Sequence, residues 1–234
     1  MEKIVYPVRI NKYLALKGYS TRRGADELIE QGKVRINGKK ASLGDKVEES
    51  DTVEVNQVGE KKYVYYAYYK PRGIITHSAE EGEKSIEDNI RGRIKEEVFP
   101  IGRLDKASRG LIVLTNDGRI TEKLLAPSRE HEKEYEVTVD KPVNGMLLKG
   151  LESGVRIENY TTKKAKAKKL SAQKISIVIT EGKKHQIRRM CAALGYVTHD
   201  IKRIRITTLD LGKLGPGQFR QITGKELETF LASL

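Results

Sequence analysis

One acid stands among cations in the stretch Gly102-Arg103-Leu104-Asp105-Lys106-Ala107-Ser108-Arg109-Gly110. Nearby positive charge favours the charged form of a carboxylate. An ionised carboxylate in such a loop is a candidate nucleophile or base. The same features fit an ion-paired aspartate that fixes a turn, because structural pairs perturb acids too. Spacing alone leaves both readings open. A second group of interest is Lys163, Lys164, Lys166, Lys168 and Lys169, a run with no acid inside it. It reads either as a solvated face or as a strand that offers lysines to phosphates. The four histidines, His77, His131, His185 and His199, lack metal-ligand spacing, and Cys191 is the single cysteine. A metal site is therefore not expected, and no phosphate loop of the Walker type is present.

These residues need elements to place them. Leu111-Ile112-Val113-Leu114 is an apolar run and reads as a buried strand following the Asp105 loop. Lys133 to Val139 alternates like a strand with one buried face, which puts Tyr135, Val137 and Val139 on one side. Tyr63 to Tyr69 holds five tyrosines and reads as a strand with half-buried rings rather than a set of base-stacking platforms. Ile175 to Thr180 and Ile201 to Ile206 are further strands. Helices are expected over 85–96, 119–126 and 142–151, from 181 to a stop at Gly195, and at the C-terminus behind a Thr223–Glu226 capping box. Before all of these, a helix over 9–17 with Asn11 as its cap precedes a helix capped by Ser20-Thr21. In that second helix Ala25, Leu28 and Ile29 share a face. Lys33 to Ile36 then runs into an Asn37-Gly38 hairpin turn.

Composition narrows the function classes. The chain has 234 residues, 45 Lys+Arg against 32 Asp+Glu, and a net charge of +13. Such a balance points to a polyanionic partner, most simply nucleic acid. No run of 18 apolar residues and no signal-peptide pattern occurs, so neither a membrane protein nor an exported one is expected. The cysteine usage fits a reducing cytoplasm. Charge is uneven along the chain. Residues 1–58 hold 11 Lys+Arg against 9 Asp+Glu, a net of +2, so the remainder carries +11.

Longer phrases resemble known families. Gly102-Arg103-Leu104-Asp105, then Ser108-Arg109-Gly110-Leu111, then Leu114-Thr115-Asn116-Asp117-Gly118 resembles the catalytic motif of pseudouridine synthases, most closely the RsuA/RluF-like family. Lys70-Pro71-Arg72-Gly73 resembles that family's first motif, a turn close to the active site. Glu181-Gly182-Lys183-Lys184-His185-Gln186-Ile187-Arg188-Arg189-Met190 resembles its third. The phrases Arg9-Ile10-Asn11-Lys12-Tyr13-Leu14, Ser20-Thr21-Arg22-Arg23 and Gly32-Lys33-Val34-Arg35-Ile36-Asn37-Gly38 resemble an S4 RNA-binding domain. His131 to Tyr135 and Ile187 to Cys191 look most like the large-subunit rRNA branch.

The resemblance implies an α+β protein. A small S4-like RNA-binding domain would span 1–58, a linker 59–62, and a pseudouridine synthase domain 63–234. The last would be built on a mixed, mostly antiparallel sheet flanked by helices. The implied reaction is isomerisation of uridine to pseudouridine in ribosomal RNA, specifically 23S rRNA, with the base flipped out. The resemblance makes Asp105, Tyr135 and Arg188 the catalytic residues. Asp105 would attack C1′ or take the C2′ proton; Arg188 would pair with it. Tyr135 would stack under the uracil and could serve proton transfer at C5. Arg103, Ile201 and Lys70 would lie on the substrate side, and Arg22, Arg23, Lys33, Arg35, Lys39 and Lys40 would contact RNA. The implied partner is an rRNA stem-loop, met by a cytoplasmic monomer that needs no metal, cofactor or membrane. His185 falls at a variable position of the third motif and receives no role. The alternative is a non-catalytic S4-domain RNA-binding or ribosome-assembly factor.

Overall fold

The computed structural model describes residues 4–56, 62–77 and 81–234. The chain divides into two compact units, Met1–Tyr63 with Asp117–Glu122, and Val64–Asn116 with Lys123–Leu234. Residues 59–61 of the expected linker lie outside the described residues.

The first unit holds helices Ile10–Leu16 and Arg22–Glu30, a three-stranded sheet and a short two-stranded pair. Thr21 caps the second helix, its hydroxyl accepting from the Gly24 N–H at 3.0 Å. Asn11 does not cap the first helix. Its amide donates to Asp26 Oδ1 at 2.9 Å and ties the two helices together, while Arg9 occupies the cap position without a side-chain bond. Ala25 and Ile29 are buried in a small core with Ile10, Leu14 and Val34, and Leu28 packs at its edge. Asn37 and Gly38 both take positive φ, +51° and +76°, as a two-residue hairpin of the mirror-image type requires.

The second unit is organised by a nine-stranded sheet. Along its main path the order is Lys166–Ser171, Lys174–Ile179, Lys133–Val139, Thr198–Ile206, Arg109–Thr115, Tyr65–Lys70 and Phe219–Gln221. Among the described strands of this sheet one pairing is parallel, Thr198–Ile206 with Arg109–Thr115, and the rest are antiparallel. The sheet is therefore mixed and mostly antiparallel. Tyr135, Val137 and Val139 are buried, as their alternation requires. Tyr65–Lys70 is different: all six residues are buried. That strand has a neighbour on each edge, and Ile86 and Ile90 cover the Tyr66 and Tyr68 side. Tyr66 and Tyr68 satisfy their hydroxyls on Glu96 and Asn89. Buried rings with satisfied hydroxyls are core, not stacking platforms.

Some helices are shorter than their sequence suggests. The helix expected over 85–96 is Ile86–Ile90, with a Ser85–Asp88 capping box. The segment from Glu181 turns first and becomes helical only at Gln186–Ala193. Thr223 precedes the last helix but makes no side-chain cap, and the Glu226 carboxylate of the expected box pairs instead with Arg220 at 2.6 Å. No described helix is long and apolar enough to cross a membrane.

Candidate active site

Gly102–Ser108 connects two antiparallel strands, Phe99–Ile101 and Arg109–Thr115. Five consecutive carbonyls of this loop all accept hydrogen bonds. Leu104 O accepts from the Thr76 hydroxyl at 2.9 Å. Asp105 O accepts from the Ser108 N–H and from Lys70 Nζ. Lys106 O accepts from the Gly73 N–H, Ala107 O from Arg188, and Ser108 O from Lys70 Nζ at 2.8 Å. A loop ordinarily leaves such groups to water. Here the backbone is pinned while the Asp105 carboxylate keeps partial exposure, 36%.

The far end of the loop is anchored as well. Arg109 forks onto Asp200, with Nε–Oδ1 at 3.1 Å and Nη2–Oδ2 at 2.8 Å, and it also donates to the Tyr69 hydroxyl. Burial alone would raise the Asp200 carboxyl, yet the Arg109 fork holds it below its ordinary value. Gly110 comes next, with φ at +112°. A Cβ there would lie 2.2 Å from Arg203 O and 2.6 Å from Arg203 N. The parallel pairing of Arg203 with Gly110 brings the two backbones that close, so only glycine fits.

Asp105 faces a cleft of about 390 Å³ whose lining includes Arg103, Tyr135, His185, Ile187 and Ile201. Tyr135 and Ile201 are buried, at 7% and 4% exposure, and supply aromatic and aliphatic wall. Arg103 is exposed at the loop. The expected set Asp105, Tyr135, Arg103 and Ile201 is therefore brought together.

Two expected residues are placed otherwise. Among the described residues Arg188 forms no ion pair with Asp105. Its guanidinium donates to Thr198 O at 2.9 Å and Ala107 O at 3.3 Å, so it braces the loop's backbone instead of its carboxylate. Lys70 does not line the cleft. It is fully buried, and its ammonium is spent on the carbonyls of Pro71, Asp105 and Ser108. Burial pushes its pKa down from 10.5 to about 8, the Asp105 charge opposes that fall, and Arg203 adds to it. Lys133 is pushed down to about 8 in the same way, by burial and then by Arg203. The residue that spacing misses is His185, whose Nε2 stands 3.6 Å from Asp105 Oδ1. Its one signal in the sequence is its place just ahead of the helix that carries Arg188.

In the first unit, Arg22, Arg23, Arg35, Lys39 and Lys40 are exposed and Lys33 is half-buried. They do not share a single face. Arg35 and Lys40 pair across the hairpin, and strand alternation turns Lys39 to the side of Ile36, which packs on the core. In the lysine run, Lys163 and Lys166 are paired with Glu130 and Glu132, while Lys164 and Lys168 are exposed on or beside the edge strand.

Comparison with known proteins agrees with this architecture. Residues 64–193 match the RNA pseudouridylate synthase family and residues 8–53 match the S4 domain. The chain is 44% identical over 227 residues to the dual-specificity RNA pseudouridine synthase RluF of Escherichia coli (strain K12), covering 94% of this chain and 77% of RluF. It is 39% identical over 233 residues to the ribosomal large subunit pseudouridine synthase B of Bacillus subtilis (strain 168), covering 96% of each. A crystal structure of a pseudouridylate synthase, 28% identical, superposes with a TM-score of 0.71 over 94% of this chain and 98% of that one. With an S4 domain in front of a synthase domain, this chain belongs to the RNA pseudouridine synthase family.

Proposed function

We propose that this protein converts uridine to pseudouridine within ribosomal RNA, in the large subunit, with Asp105 as the reacting carboxylate. One observation carries the assignment of Asp105: its loop is fixed through five carbonyls while its side chain enters a cleft walled by Tyr135 and Ile201. Groups held before the substrate arrives need no reorganisation during reaction. The large-subunit assignment draws on the relative named for that subunit.

The reaction breaks the N1–C1′ bond, turns the uracil over and joins C5 to C1′. A proton leaves C5 and one arrives at N1, so atoms balance without a redox partner. Asp105 would attack C1′ or abstract the C2′ proton. A cleft of about 390 Å³ is in the range of small-ligand pockets and accepts one nucleotide but no duplex. The target base must therefore leave its stack, which costs a few kcal/mol. Stacking on one aromatic returns roughly 1–3 kcal/mol, a role for Tyr135. Ile201 keeps the base site apolar, and Arg103 is available to a phosphate. The exposed cations of the S4 domain, Arg22, Arg23, Arg35, Lys39 and Lys40 with half-buried Lys33, would hold flanking RNA. The protein would act as a monomer in the cytoplasm.

The test is pseudouridine mapping of total rRNA from cells with and without this protein. The expected result is loss of one or more large-subunit pseudouridines, restored by the wild-type protein and not by Asp105→Asn. An unchanged map would refute the proposal and favour an RNA-binding role alone.

A further inference from the structure

His185 sits in a turn that is braced from beneath. Gln186 is 4% exposed and Glu181 8%. Gln186 Nε2 donates to Glu181 Oε1 at 2.6 Å, and Gln186 Oε1 accepts from the Lys183 N–H at 2.9 Å. Glu181 Oε1 also accepts from the Lys163 N–H at 3.0 Å, and its other oxygen accepts from the Tyr160 hydroxyl. Inside this turn His185 takes φ +53°, a left-handed conformation that few side chains adopt and histidine tolerates better than most. The result places the imidazole over the cleft, with Nε2 3.6 Å from Asp105 Oδ1.

The other charges around Asp105 are committed or fixed. Lys70 lies beneath, bound to carbonyls. Lys106 is paired with Glu83, Arg109 with Asp200, and Arg188 is held by two carbonyls. Arg103, Lys183 and Lys184 also line the cleft. Among the described residues, His185 makes the one ion pair of the Asp105 carboxylate. Two histidines, His185 and His77, line the cleft, and histidine is the side-chain type whose charge changes near neutrality; of the two, His185 makes the ion pair with the carboxylate.

We infer that His185 is a positioning residue for Asp105: its imidazolium holds the carboxylate aimed into the cleft, so the rate of modification carries a histidine ionisation. This rests on the synthase reading of the cleft. As pH rises through the histidine range the imidazolium loses its proton, the attraction lapses, and fewer carboxylates stand aimed. The pair is partly exposed, 49% and 36%, so the effect on rate is modest, about threefold.

Single-turnover pseudouridine formation by the full-length protein on 23S rRNA, from about pH 5.5 to about pH 9, reads this. Wild type should step down about threefold as pH rises across this range. His185→Gln should run at the lower level throughout and show no step. His185→Lys, a cation at every pH tested, should stay at the upper level. Proton NMR of the imidazole signals tests the pair without RNA, with the His185 signal assigned by its loss in His185→Gln. Asp105→Asn should lower the midpoint of the His185 titration, because the lost anion 3.6 Å away no longer favours the imidazolium. If no rRNA is modified at all, the proposed function fails and the NMR titration still decides the pair. A step that persists in His185→Gln overturns the inference. So does a uniform loss of rate and stability with the step retained, since that marks a merely structural histidine. An unmoved His185 titration in Asp105→Asn overturns it as well.

Discussion

Replacing Lys70 by methionine separates holding the fold from holding the site. The change keeps the length of the side chain and removes the ammonium. Two effects on stability oppose each other. The carbonyls of Pro71 and Ser108 lose this donor, while Asp105 O keeps the Ser108 N–H. Each buried acceptor left unmatched costs about 1–3 kcal/mol. Against that, a pKa pushed from 10.5 to about 8 means that the buried charge itself costs roughly 3 kcal/mol at neutral pH. The expected net change at pH 7 is therefore within about 3 kcal/mol of zero. Activity has no such offset. Two carbonyls of the Asp105 loop lose a bond, and a carboxylate displaced by about 1 Å loses roughly 100-fold in rate. The pH dependence gives a second readout. A lysine that deprotonates at about 8 when folded and at 10.5 when unfolded leaves the unfolded chain with more protons between those values. Wild-type stability should therefore gain from Lys70 as pH rises through that window, with the full cost present below it. Lys133 titrates over the same window, so the difference between wild type and Lys70→Met isolates Lys70. Urea unfolding at pH 7 and near pH 10, beside single-turnover kinetics, measures both. A Lys70→Met protein with wild-type rate would refute the claim that this ammonium positions Asp105.

Other perturbations have equally definite outcomes. Asp105→Asn should abolish turnover and leave RNA affinity largely intact, since phosphate contacts dominate binding; wild-type pseudouridine formation by the variant would refute the role. Arg188→Ala should cost about 1–3 kcal/mol, the loss of two bonds to carbonyls, rather than the roughly 3–5 kcal/mol of a broken buried ion pair; thermal unfolding distinguishes these. Gly110→Ala drives a Cβ to 2.2 Å from Arg203 O and should destabilise by about 3 kcal/mol or more, read from the urea midpoint. Deleting residues 1–58 should raise KM for rRNA with kcat kept at saturating RNA, and should flatten the salt dependence of binding by about 0.7–0.9 for each phosphate that the deletion leaves unneutralised.

Much of the architecture is legible because local patterns and tertiary needs agree. Lys133 to Val139 alternates in sequence and is half-buried in the sheet, so period and placement coincide. Asn37-Gly38 names its own turn. The tyrosine strand reads as half-buried because its sequence does not state its neighbours. It is buried because Arg109–Thr115 and Phe219–Gln221 pair with its two edges while Ile86 and Ile90 pack on the Tyr66 and Tyr68 face, and Phe219–Gln221 lies about 150 residues downstream. Asn11 and Thr223 fit the helix-cap pattern, yet the Asn11 amide goes to Asp26 and the Glu226 carboxylate of the Thr223 box goes to Arg220. The mixed character of the sheet follows from the resemblance, not from periodicity.

The site shows the same division at finer grain. Which residue types gather around Asp105 can be read from short phrases, but which cation does what cannot. Lys70, Arg188 and His185 all bring positive charge or a donor to one loop. Burial settles their tasks. Lys70 has no exposure, so its charge survives only where several acceptors converge, and the carbonyls of the loop supply them. Arg188 presents a planar fork, which suits two carbonyls on different segments and ties Ala107 to Thr198. Both are thereby consumed by the backbone. The carboxylate is left to a half-exposed histidine, held in reach by a turn whose own glutamate and glutamine are buried. A loop fixed through its main chain leaves the acid's side chain as its movable part, and a weak partner can then aim it without trapping it.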